Sequence, residues 1–493
     1  MKPLTVAIPY SPAPFFAKLL FALAKLPPVE RFIIVAQEPV HVRIPGSHIL
    51  TAAPVTTQGT LERLLAEVQT NYLLLLPHPL HVAFEPEALD RMIEAAQAAG
   101  AGMVYSDFYD ESKHGKTLHP LNDYQPGSVR DDFDFGPMAL FSVPCVKASI
   151  RKHGTLPGIQ FAGLYDLRLK LTIDHPIHHL REPLYSVIGS DEPTGSEKLF
   201  AYVDPRNQAV QTEMEAVFTD YLKRIGAYLP PLHLRRLEPG SPSFPVEASV
   251  IIPVRNRKGT IAEAAQSALS QETDFPFNVI VVDNHSTDGT TAVLADLAKA
   301  HSRLKHIIPV RTDLGIGGCW NEALHDHACG RYSVQLDSDD LYISDRTLQR
   351  MVDMLRQDKY AMVVGSYTLV NERLEEIPPG LVDHREWTDE NGHNNALRIN
   401  GLGAPRAFHT GIMRAIGFLN VSYGEDYAAA LRICREYRIG RIYESLYLCR
   451  RWSGNTDAAL DIEATNKNDA FKDGIRSAEI IARQEMNQTN ETA

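Results

Sequence analysis

Short apolar runs alternate with amphipathic stretches along most of the chain, the pattern of buried strands followed by covering helices. Leu4–Pro9 (LTVAIP) reads as a strand, Ala17–Leu26 as a helix and Arg31–Ala36 as a second strand. Tyr72–Leu76 and Gly102–Tyr105 add strands, with a helix over Pro86–Ala99 between them. Strands that alternate with helices bury their apolar runs in a mostly parallel sheet covered on both faces, so the expected class is α/β.

The same order then occurs again. TVAIPY at Thr5 is answered by SVIIPV at Ser249, and NYLLLL at Asn71 by RYSVQL at Arg331. Arg91-Met92-Ile93 matches Arg350-Met351-Val352, the run from Tyr165 matches that from Tyr427, and Glu182-Pro-Leu-Tyr matches Glu444-Ser-Leu-Tyr. An offset held near about 260 residues over separate blocks implies an ancient tandem duplication. The opening strands lie closer together, so the second copy carries extra residues before Tyr332. The expected domains are residues 1–195 as the first copy, 196–245 as a helix (Pro205–Tyr228) and Pro-rich linker, and 246–457 as the second copy. Residues 458–493 are expected to form a helix over Ile462–Met486 and a disordered tail.

Composition narrows the function classes. A length of 493 residues exceeds one ordinary core. A formal charge of −12 with no long Lys/Arg run excludes a general nucleic-acid binder. Five cysteines form no CxxC pair, which suits reduced thiols and a cytoplasmic location. No run of about 18 apolar residues occurs, so no membrane span is expected, leaving peripheral association open.

The chemistry concentrates in YSVQLDSDDLYISD (Tyr332–Asp345). Asp337, Asp339 and Asp340 crowd the end of a strand and repel one another unless a hard cation sits between them. An acidic turn before a helix is the alternative. The first copy has Pro77, Pro79 and Leu80 at those positions, and Gly163-Leu164 opposite Glu425-Asp426. It is therefore expected to keep the fold without the chemistry. Open α/β sheets bind ligands at the C-terminal ends of their strands. In the second copy that edge is expected to carry Pro253, Arg255, Asp283 and the GIGG segment (Gly315–Gly318), whose glycines would let a backbone approach a pyrophosphate.

In this order, SVIIPVRNR, VVDNHSTDGT, a Gly-rich segment with Asn321, LDSDD and then GED at Gly424–Asp426, the second copy resembles the family 2 glycosyltransferases of the GT-A fold, over Ser249 to about Asn455. The resemblance implies two tandem GT-A-like domains, the first degenerate, and an inverting, metal-dependent transfer of sugar from a nucleoside diphosphate to a hydroxyl. It implies that Pro253, Arg255, Asp283 and Asn321 border the nucleotide and that Asp337 meets the donor. Asp339 would ligate Mn2+ or Mg2+, and Asp426 would be the base. Glu425, Arg406, His409 and Trp452 fall where the sugar and acceptor pocket is expected, and Arg450 or Arg451 where a cation holds the diphosphate. Leu448 stands where the processive polymerases' QxxRW pattern has glutamine, so synthesis of a long polymer through a pore is not expected. The implied nucleotide is uridine and the implied acceptor a saccharide, lipid-linked sugar or other glycoconjugate; the first copy is left as scaffold, homodimer surface or acceptor platform. A nucleotide-sugar-binding pseudoenzyme and a sugar nucleotidyltransferase are the rival readings. The polar stretch Asp383–Asn395 has the length and composition of a lid.

Overall fold

The structure, a computed structural model, describes residues 2–42, 44–189, 207–231, 234, 235, 237, 243–452, 455 and 460–492. They fall into two units, residues 2–189, 207–227 and 461–480 in the first and residues 228–460 and 481–492 in the second. Part of the expected Pro-rich linker lies outside the described residues.

The first unit runs β1 (Leu4–Pro9), α1 (Pro14–Ala24), β2 (Val29–Ala36), β3 (Ser47–Thr51), α2 (Gln58–Glu67), β4 (Tyr72–Leu75), β5 (Val82–Phe84), α3 (Ala88–Ala99) and β6 (Met103–Ser106). It continues with β7 (Phe108–Ser112), β8 (Gly115–His119), β9 (Ala139–Ser142), α4 (Val143–His153), α5 (Gly163–Asp174), β10 (Ile177–Leu180), β11 (Tyr185–Ile188) and α6 (Gln208–Arg224). Its main sheet has the order β3-β2-β1-β4-β9-β6-β10. Alternate residues of β1 and β2 enter different cores: Val6, Ile8 and Ile34 on one face, Ala7, Ile33 and Val35 on the other. Burial on both faces is why these strands read as unbroken apolar runs.

The second unit runs β12 (Ala248–Val254), α7 (Ile261–Leu269), β13 (Phe277–Asp283), α8 (Thr290–Ala300), β14 (Leu304–Ile307), α9 (Ile316–His325), β15 (Tyr332–Gln335), β16 (Leu341–Tyr342) and α10 (Thr347–Leu355). There follow β17 (Met362–Val370), β18 (Glu376–Val382), α11 (Gly392–Asn395), β19 (Arg406–His409), α12 (Thr410–Ile416), α13 (Glu425–Glu436), β20 (Ile439–Arg450) and the long α14 (Ile462–Thr492), whose first part belongs to the first unit. The sheet order is β14-β13-β12-β15-β19-β17-β20-β16.

The first seven strands of the second order correspond one by one to those of the first, and so do the registers. Leu4 pairs with Tyr72 as Ala248 pairs with Tyr332. Phe141 pairs with both Leu73 and Met103, as Phe408 pairs with both Ser333 and Met362. Ile177 lies on Met103 as Ile439 lies on Met362. Where the second unit has the long strands β17 and β20, the first has each broken in two, as β6/β7 and β10/β11.

Three expectations need correction. The sheets are mixed rather than mostly parallel at their centres, because β9 and β19 run antiparallel between parallel neighbours. In the second unit that central strand is β19, Arg406–His409. Asp383–Asn395 is no open lid, since His384, Trp387, His393, Asn394 and Asn395 are buried. His393 and the Asn394 amide there meet the carbonyl of Leu229 at 2.7 and 2.9 Å. The C-terminal residues 487–492, expected as a disordered tail, continue α14.

Candidate active site

The strands β12, β13 and β15 end side by side, and the turns beyond them line a cavity of about 450 Å³ in the second unit. From β12 come Pro253, Val254, Arg255 and Arg257; from beyond β13 comes Asn284; from β15 and its turn come Gln335 and Asp337–Asp340. β19 adds Arg406 and Phe408, α13 adds Glu425 and Asp426, and the end of β20 leads into Arg451.

The acid turn is held from behind. The Asp337 N–H donates to Tyr447 Oη at 2.9 Å, and the Arg450 N–H donates to Asp340 Oδ1 at 2.7 Å. Trp452 Nε1 donates to Asp339 Oδ2 at 3.0 Å, and Arg257 Nε lies 3.6 Å from the same oxygen. Burial pushes the Asp337 carboxyl up from the ordinary carboxylate range. Burial, with Asp337 and Asp339 beside it, pushes Asp340 up further. Clustered, poorly solvated carboxylates of this kind are stabilised by an added positive charge.

Across the cavity, α13 starts from Gly424 at φ 78°, a left-handed position that suits glycine, and presents two acids in its first turn. Asp426 Oδ1 accepts the Tyr427 N–H at 2.6 Å, and Oδ2 accepts from Arg406 Nη2 at 2.5 Å. Glu425 is buried, and its Oε2 has no hydrogen-bond partner among the described residues. Burial and then Asp426 push its carboxyl up to about 8.

The carboxylates of the acid turn fit a hard divalent cation. Among the described residues no three His, Cys, Asp or Glu side chains form a metal-holding group. Mg2+ typically takes one or two carboxylates and completes its shell with phosphate oxygens and water, which Asp339 with Asp337 beside it can accommodate.

Of the residues expected at this site, Pro253, Arg255, Asp337, Asp339, Arg406, Glu425, Asp426 and Arg451 line the cavity. Five do not stand where they were expected. Asp283 is fully buried behind the cavity, its carboxylate accepting the Ser286 N–H at 3.0 Å and the Thr291 hydroxyl at 2.6 Å, and Asn284 takes the lining position. Asn321 exchanges two hydrogen bonds with the Phe418 backbone. His409 lies edge-on to Tyr332; the strand alternation that sends Arg406 and Phe408 to the cavity sends His409 to the other face. Arg450 turns its guanidinium to Glu263 at 2.9 Å. Trp452 does not line the cavity; its indole reaches Asp339 of the acid turn.

The GIGG glycines are needed for another reason as well. A Cβ on Gly317 would stand 1.9 Å from the Leu419 carbonyl, and the Gly317 N–H already donates to Val421 O at 3.0 Å. The close approach of Gly315 and Gly317 is to the protein's own backbone, and that of Gly318 is to the Asn420 side chain. Gln335, Asn284, Arg257 and Tyr447 were not expected; only Gln335 carried a signal, as a polar residue in a buried strand opposite Leu75.

The family model Glycosyl transferase family 2 matches residues 249–417. The Escherichia coli UDP-Glc:alpha-D-GlcNAc-diphosphoundecaprenol beta-1,3-glucosyltransferase WfgD is 30% identical over 195 residues, 39% of this chain and 72% of that protein. The chain belongs to glycosyltransferase family 2. The family 2 domain also matches the putative teichuronic acid biosynthesis glycosyltransferase TuaG of Bacillus subtilis, 32% identical over 122 residues, 25% of this chain and 47% of that one. The chain spans 34%, 47% and 34% of the length of the first curated relatives it matches. Among solved structures it is similar to S. aureus TarS 1-349 in complex with UDP-GlcNAc, with a TM-score of 0.37 and 22% identity over 48% of this chain and 72% of that one. Among the described residues no helix is long and apolar enough to cross a membrane.

Proposed function

We propose that the second unit moves a sugar from a nucleoside-diphosphate donor, a UDP-sugar, to a hydroxyl of a saccharide or lipid-linked acceptor, with inversion at the anomeric carbon. The observation that carries this reading is one cavity with the acid turn Asp337–Asp340 on one wall and the fixed carboxylate of Asp426 on another.

The nucleoside is bordered by Pro253, Arg255 and Asn284, and Arg451 meets the diphosphate. Asp339 would hold Mn2+ or Mg2+, which when bound neutralises charge growing on the diphosphate. Asp426 takes the proton of the acceptor hydroxyl as that oxygen forms its bond to the anomeric carbon. The bond from that carbon to the diphosphate oxygen breaks on the opposite face, and the electron pair leaves with the diphosphate. One displacement inverts the centre.

The match of strand order and register supports reading the first unit as a copy of the same fold that has lost its acids, serving as scaffold, self-association surface or acceptor platform. By likeness to the Escherichia coli relative, whose name gives UDP-glucose and a diphosphoundecaprenol-linked sugar, the acceptor class is a lipid-linked saccharide reached from the cytoplasmic face. The test is release of nucleoside diphosphate from a panel of UDP-, GDP- and dTDP-sugars, with and without Mg2+ or Mn2+ and undecaprenyl-diphosphate-linked sugars. A purified, folded chain that turns over no donor in the panel overturns the reading.

A further inference from the structure

Four polar side chains form one hydrogen-bonded line across the cavity. Arg406 Nη2 donates to Asp426 Oδ2 at 2.5 Å and Nη1 to Gln335 Oε1 at 3.0 Å, while Gln335 Nε2 donates to Asp337 Oδ1 and Oδ2 at 3.0 and 3.2 Å. Arg406 Nε donates to the Leu402 carbonyl at 2.6 Å, which fixes the plane of the guanidinium. The line therefore runs from the acid beside the acceptor to the acid beside the donor.

The chemistry of the ends dictates the middle. Arginine offers only donors and an ionised aspartate only acceptors, so the residue between them must accept on one side and donate on the other. The Gln335 amide does both, and this fixes which of its ends faces Arg406. A carboxylate there would repel Asp337; a cation would repel Arg406.

The first unit shows what these positions need for the fold alone. Strand register sets Leu75 against Gln335 and Ala139 against Arg406, and the repeat sets Pro77 against Asp337 and Leu164 against Asp426. All four are apolar, yet β4, β9 and α5 form there in the same places. The polar line is thus dispensable for building the sheet, and the four members are present or absent together.

We propose that Arg406 and Gln335 are positioning residues that tie the base Asp426 to the donor-binding Asp337, so that the base is held in one orientation; this rests on the transferase reading above. The charged groups facing Asp426 among the described residues include Arg406 from β19, Asp337 from the turn after β15 and its neighbour Glu425 on α13. The two acids oppose its ionisation and Arg406 favours it. Arg406 is accordingly an internal ligand rather than the sugar contact expected from the sequence.

The full-length chain is assayed with whichever nucleotide sugar of the panel the wild type turns over fastest. Arg406→Gln is expected to move the acidic limb of the kcat profile up by about one pH unit or more, with UDP affinity changed by less than about threefold. Arg406→Lys, which keeps a cation, restores most of the limb. Gln335→Glu is expected to raise the donor KM about tenfold or more, and Gln335→Leu less. A packing role predicts the reverse order, because Glu is nearly isosteric with Gln. An unmoved limb in Arg406→Gln, or Gln335→Glu tolerated better than Gln335→Leu, overturns the tie. A wild type inactive with every donor overturns the transferase reading itself.

Discussion

Tyr447 Oη accepts the N–H of Asp337 at 2.9 Å, whereas its counterpart Tyr185, equally buried, has no hydrogen-bond partner for its hydroxyl among the described residues. The residue that the sequence repeat sets against Asp337 in the first unit is Pro77, which has no N–H to give. An unsatisfied buried hydroxyl costs about 1–3 kcal/mol. Tyr185→Phe should therefore stabilise the first unit by about 1 kcal/mol, while Tyr447→Phe should destabilise the second by a similar amount and weaken UDP binding. Urea denaturation and calorimetric titration measure both. Equal destabilisation by the two changes would show that Tyr185 is satisfied after all.

Asp426 and Asp339 separate base from metal. Asp426→Asn keeps size and the Arg406 contact but cannot take a proton, so kcat should fall about 10²–10⁴-fold with UDP-sugar affinity near that of the wild type. Asp339→Asn should instead weaken Mn2+-dependent UDP binding, and EDTA should do the same to the wild type while leaving the variant unchanged. Metal-independent UDP binding by the wild type would remove Asp339 from that role.

Much of this site was legible because its residues break the pattern around them. Asp337 and Asp339 interrupt an apolar strand–turn, and the corresponding turn of the first unit has Pro77 and Pro79 there. What stayed hidden depends on direction rather than identity. Asp283 and Asn284 are adjacent in the chain, but a strand ends between them and the side chain that turns to the cavity is Asn284. His409 sits three residues from Arg406, and an odd separation on a strand places the two on opposite faces. The antiparallel β19 was hidden because GLGAPRAFH carries loop residues up to the point where the strand begins.

His179 in the first unit gives the chain a pH-dependent stability. Its Nε2 meets Asp107 Oδ1 at 2.9 Å and its Nδ1 meets Asp123 Oδ1 at 2.8 Å. Burial lowers its pKa, but the two carboxylates outweigh burial and the net shift is upward. A group raised above its unfolded value, about 6.5, stabilises fully below that pH and loses its contribution as pH rises through the folded pKa. His119, between Asp110 and Asp134, is raised with the same balance of causes. The urea midpoint of the first unit should thus be higher at pH 6 than at pH 9, and His179→Asn should flatten the difference. A midpoint that rises with pH over this range would reverse the assignment.

Adjacent arginines at the end of β20 should behave oppositely. Arg450 has a side chain 7% exposed, with its guanidinium on Glu263. Its N–H, not its charge, supports Asp340. Arg451 lines the cavity, and its own N–H donates to Val370 O at 2.7 Å, which anchors the backbone and aims the side chain independently of Arg450. Guanidinium–phosphate hydrogen bonds are charge-assisted and geometrically specific. Arg451→Ala should therefore weaken UDP binding about tenfold and leave the unfolding midpoint unchanged. Arg450→Met should lower stability by about 1–2 kcal/mol with UDP affinity little altered, because the backbone bond to Asp340 survives the substitution. Loss of UDP affinity in Arg450→Met at wild-type stability would exchange the two roles.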